Sequence, residues 1–133
     1  MKKFILLLFA FLVTTTGDLF AQTYKYHTTD FAFKAVNEYG YWMDWSDWEP
    51  SRCLVTINTD KDVITIYSEV PQEFDIVDDL GERYDDGGSN LTFLAVDSDG
   101  DRCHIRLRKQ NNGVLQLYVE YGDAMWVYCL TER

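Results

Sequence analysis

The chain is poor in the residues that build metal sites and stapled scaffolds. Its 133 residues hold three cysteines, two histidines and two prolines. Cys53, Cys103 and Cys129 lie far apart, and His27 and His104 do not complete a zinc set at ligand spacing. No metal centre and no cofactor is therefore expected. An odd cysteine count leaves at least one free thiol or an intermolecular bridge. Basic residues are also scarce, 12 against 22 acidic, for a net charge of −10. A surface of that sign repels nucleic acid and anionic membranes. No stretch shows the apolar spacing of an amphipathic helix. Carboxylates are plentiful, but no motif selects two of them as a glycosidase pair.

What is present begins with an export signal. Lys2 and Lys3 precede one unbroken apolar run, Phe4 to Val13. That run has the length of a signal h-region and is too short to span a bilayer. Cleavage after Ala21 makes 1–21 a signal peptide and 22–133 a single domain. Its charge becomes −11, because two lysines and Asp18 leave with the signal. The expected location is the periplasm or the medium, with no membrane span in the mature chain.

From Thr23 onward the period is near two and turn residues recur. Arg52–Asn58 and Val63–Ser68 read as a hairpin that pairs Val55 with Ile66 and Ile57 with Ile64. Pro71 separates it from a strand over Glu73–Leu80, with Phe74 and Ile76 inward. Gly81–Asn90, acidic and glycine-rich, reads as the longest loop. Four strands follow: Leu91–Asp97, Arg102–Lys109, Val114–Tyr121 and Ala124–Leu130. Ser98–Gly100 and Asn111–Gly113 each fit a three-residue hairpin loop with glycine at the left-handed position. Those loops pair Ala95 with Cys103, and Leu107 with Leu117. Gly122–Asp123 fits a two-residue turn that sends Trp126 and Tyr128 inward and Cys129 outward. The sum is an all-β antiparallel meander of eight or nine strands. Such a meander closes into a small up-and-down barrel or curled sheet, with a two-sheet sandwich as the alternative.

The densest stretch is Tyr39-Gly-Tyr-Trp-Met-Asp-Trp-Ser-Asp-Trp-Glu-Pro50, with three of the four tryptophans. Strand parity puts Tyr41, Met43 and Trp45 on one face and Trp42, Asp44 and Ser46 on the other. The first set is the more apolar and is expected inside. Trp42, Trp48 and Tyr39 then form the candidate binding face. On a straight strand Trp42 and Trp48 would stand about 20 Å apart. The spacing Trp42-x-x-Trp45-x-x-Trp48 resembles the tryptophan ladder of thrombospondin type 1 repeats, in which such rings stack against arginines. That family's cysteine framework is absent, and strand alternation takes its place.

Two further candidates rest on weaker signals. Asp97, Asp99 and Asp101 resemble a calcium loop, but glycine falls too early and Arg108 stands where the closing glutamate belongs. Cys53 and Cys103 face inward on strands running the same way, so a disulfide between them is the expected pairing, with Cys129 reduced. Asn90-Leu91-Thr92 is a glycosylation sequon.

The tryptophan strand, together with Ile64–Tyr67, Arg102–Arg106 and Leu115–Val119, resembles small exported bacterial proteins of uncharacterised function. The resemblance implies location and a β-rich fold, and no activity. The functional expectation is an exported, non-catalytic binding or interaction domain, with protein or glycan as partner. The alternatives are a barrel carrying a small apolar molecule, and a hydrolase with an unlocated carboxylate pair.

Overall fold

A computed structural model describes residues 23–132. Residues 1–21, expected above to be a signal peptide, lie outside the described residues. Nine strands appear: β1 Thr23–Ala35, β2 Glu49–Pro50, β3 Leu54–Asn58, β4 Val63–Ile66, β5 Gln72–Asp85, β6 Gly88–Asp97, β7 Arg102–Gln110, β8 Leu115–Glu120 and β9 Ala124–Thr131. Sequential neighbours pair antiparallel from β3 to β9, and β1 pairs with both β3 and β9. This is an eight-stranded closed barrel with β2 as an extra strand on β1. Closure leaves the barrel proper without a free edge. Among the described residues no helix is long and apolar enough to cross a membrane.

The hairpin registers are those the turn chemistry dictates. Val55 pairs with Ile66, Ala95 with Cys103, Leu107 with Leu117, and Val119 with Trp126. Gly100 and Gly113 carry φ values of 85° and 92°, the left-handed residues of the two three-residue loops. Alternation then delivers Val55, Ile57, Ile64, Phe74, Phe93, Ile105, Leu107 and Leu117 to a dry interior. A partly open gap among Ile57, Asn58, Asp62, Ile64, Ile76 and Phe93 measures only about 10 Å³.

Two expectations change here. Gly81–Asn90 is no loop: β5 and β6 continue through it to a tight turn at Asp86–Gly87. Two register shifts in β5 absorb the mismatch, and the Asp79 carboxylate accepts from Gly81 N–H at 2.8 Å. Cys53 and Cys103 are free thiols, as is Cys129. β3 and β7 are four strands apart round an eight-stranded barrel, hence on opposite walls. Between those walls lie the fully buried rings of Phe74 and Phe93.

β1 changes partners midway, and that creates the site. Its first half, Thr23–His27, pairs with β3. A bulge follows between Thr28 and Asp30. Fully buried Thr28 pins it: its N–H donates to the Cys53 carbonyl and its Oγ1 accepts from Cys53 N–H, both at 2.9 Å. Beyond the bulge β1 keeps β9 on one side but leaves β3 on the other. The vacated edge is taken by residues 41–51.

Candidate functional site

The tryptophan segment docks on β1 through a short series of main-chain bonds. Asn37 Oδ1 accepts from Tyr39 and Tyr41 N–H at 2.9 and 3.1 Å, and Gly40 (φ 85°) completes the turn. Met43 N–H donates to Ala35 O, Ser46 N–H donates to Phe33 O, and Glu49 stands across from Phe31. Each step covers three residues of the segment and two of β1. Every step thus carries one extra residue, the defining feature of a bulge. Ser46 eases one of them: its Oγ accepts from Phe33 N–H at 2.9 Å.

The consequence is a reversal of the expected parity. Trp42, Trp45 and Trp48 each precede one of those anchor residues, so all three fall on the same face. They stand across from Val36, Lys34 and Ala32, the outward residues of β1. Trp45 is therefore not core, correcting the expectation from strict alternation; it is 39% exposed, beside Trp42 at 43% and Trp48 at 51%. Tyr41 and Met43, also expected inside, are exposed at 72% and 59%, and Tyr39 at 76%. Because the row advances two β1 residues per tryptophan, Trp42 and Trp48 sit across from positions only about 13 Å apart.

Cations thread this face. Lys34 Nζ lies 5.4 Å from the Trp42 ring centre and 5.0 Å from that of Trp45. Trp45 meets Tyr118 edge-on at 6.1 Å, and the Arg106 guanidinium covers Tyr118 at 3.8 Å. Arg106 also pairs with Glu120 at 3.1 Å and donates to Asn90 Oδ1 at 2.8 Å. Arg108 reaches the same Asn90 oxygen at 3.3 Å and Asp85 at 2.7 Å. One continuous line of rings and charges thus runs over the outside of the barrel from Trp42 to Asp85. The sequon asparagine is already engaged in it.

The Asp85 carboxyl is held well below the usual carboxylate range, first by its hydrogen bond from Arg108 and then by Gly87 N–H. A depressed carboxyl stabilises the fold above its unfolded pKa, about 4, and that contribution is lost as pH falls through the lower folded value. Amide exchange at the β5–β6 tip should therefore speed up in strong acid relative to the rest of the barrel. Asp85→Asn should show the faster exchange already at neutral pH. Equal protection of the tip in both proteins across that range would contradict the ion pair's role.

The remaining expected site residues are placed as follows. Asp97, Asp99 and Asp101 do come together, with ligand atoms within 4.8 Å of one another. Asp97 is committed elsewhere: Oδ1 accepts from the N–H groups of Asp99 and Asp101, and Oδ2 accepts from Tyr121 OH at 2.6 Å. The trio is a hairpin staple. Cys53 Sγ lies 3.3 Å from Thr28 Oγ1. Burial pushes the Cys103 thiol up to about 11, and it raises Cys129 as well. Such desolvated thiols are poor nucleophiles. His104 stands across from Glu120, whose carboxylate is taken by Arg106.

Sequence reasoning missed one feature beside the row. An open cleft of about 400 Å³ lies among Phe31, Glu49, Cys53, Tyr67, Glu69 and Tyr128. It shares Glu49 and Pro50 with the tryptophan segment. Comparison with protein-family models, curated proteins and solved structures finds no match.

Proposed function

We propose that this chain is an exported, non-catalytic binding domain that docks a partner, protein or glycan, on the face of Trp42, Trp45 and Trp48. One observation carries the reading. Two inserted residues turn three indoles to the same outer side, where they stay partly exposed. Large exposed aromatics in one patch are a common mark of an interaction surface. The packed interior supports a surface site over a carrier of apolar cargo, since Phe74, Phe93 and the aliphatic side chains around them are fully buried in it. The engagement of Glu120 with Arg106 takes the carboxylate across from His104 out of the hydrolase reading.

The test is capture from the native envelope and medium with the mature domain as bait. Trp48→Ala should reduce recovery of the partner about tenfold or more, as loss of an interface anchor does. Undiminished capture by both Trp42→Ala and Trp48→Ala would reject the reading. Export is checked in the same preparation: the intact mass of the secreted protein should correspond to a chain starting at or near Gln22, and a full-length mass would contradict it.

A further inference from the structure

Resting on that reading, we infer that the partner is a protein presenting an extended basic segment, whose lysine or arginine heads lie against the tryptophan row and enter the adjoining cleft. Three independent features point to a cationic occupant. The first is a demonstration within the fold itself: the Lys34 ammonium already sits against the rings of Trp42 and Trp45. Indole faces attract such heads through their quadrupole, most strongly where water is thinned.

The second is charge. From Ala35 to Ser51 the chain has four carboxylates, Glu38, Asp44, Asp47 and Glu49, and no lysine or arginine. All four are exposed, and none makes a side-chain hydrogen bond or ion pair among the described residues. Among the described residues two carboxylates, Asp85 and Glu120, are ion-paired, with Arg108 and Arg106. Lys34 on the row and Arg52 in the adjoining cleft meet part of the segment's charge, and the balance over the four carboxylates stays negative. The segment's own charge disfavours an acidic partner, because like charges in contact repel.

The third is the cleft. Phe31, Tyr67 and Tyr128 supply apolar walls for an aliphatic stem, and the charged lining is two carboxylates, Glu49 and Glu69, against one guanidinium, Arg52. That pairing suits a side chain that is apolar along its length and cationic at its end. A neutral sugar would stack on the same rings and donate its hydroxyls to the same carboxylates, but would leave their charge unmet; it is the competing occupant that the titration separates. The bulged edge of residues 42–50 is irregular, which discourages strand addition. Recognition therefore rests on side chains.

The experiment is titration of the mature domain with an oligolysine peptide and, separately, with a neutral glucose oligosaccharide, followed by calorimetry and tryptophan fluorescence. The peptide should bind. Trp48→Ala and the pair Asp47→Asn with Glu49→Gln should each weaken binding about tenfold. Glu73→Gln with Asp75→Asn removes the same charge three strands away on β5, and should change affinity less than about twofold. Binding that falls equally in that control is plain charge attraction and overturns the inference. Binding of the oligosaccharide alone, lost in Trp48→Ala, overturns it too but leaves the binding-domain reading standing. If neither probe binds and both tryptophan variants still capture the native partner, both readings fall.

Discussion

Phe93→Ala should cost about 3–5 kcal/mol, close to the limit a domain of this size tolerates. Phe93 is 1% exposed, and it pairs with Ile105 where the barrel is fullest. A cavity there cannot collapse, because closed walls of paired strands hold their spacing. Trp45→Ala, by contrast, should cost no more than about 2 kcal/mol, from its edge contact with Tyr118 and its share of Lys34. Denaturant midpoints of the two variants measure the difference. Equal losses would mean that Trp45 is core after all, as strict alternation had it.

The second large effect is expected at Gln72, which ties opposite walls together. β5 and β9 are four strands apart, yet Gln72 Nε2 donates to Tyr128 OH at 3.1 Å, and Trp126 Nε1 donates to Gln72 Oε1 at 3.1 Å. Nε2 also donates to Ser68 Oγ at 2.9 Å. Gln72→Leu keeps most of the volume and strands the Trp126 N–H and the Tyr128 hydroxyl. Each stranded group costs about 1–3 kcal/mol. Pairing Gln72→Leu with Tyr128→Phe should recover part of that loss, since one orphan disappears. If the double variant is as unstable as the sum of the singles, the bond across the barrel carries no weight.

Most of the barrel is legible in the sequence because its turns leave little choice. A glycine forced to positive φ sets the loop length, and one residue of slip would turn Leu107, Leu117 and Val119 to solvent. The tryptophan segment resists the same reading for a physical reason. Strand parity assumes two residues per repeat on both strands, whereas this segment spends three against two on β1. The period-three spacing of the tryptophans is the visible trace of that mismatch. It has meaning only once the partner strand is known. Cations do lie against rings here, but Lys34 comes from the strand just before the segment, and Arg106, from β7, covers Tyr118 and no tryptophan. The β5–β6 extension is hidden likewise. Its acidic, glycine-rich composition reads as a loop, while the groups that straighten it, Arg106 and Arg108, belong to β7.

Oxidative footprinting of the domain, free and bound to its captured partner, tests the central claim most directly. In the free protein Trp42, Trp45 and Trp48 should all react, with Trp126, packed on the core and bonded to Gln72, much slower. In the complex the three should become protected together, because they occupy one face. Protection of all three is the result the account predicts. A complex in which the row stays as reactive as in the free domain would contradict it.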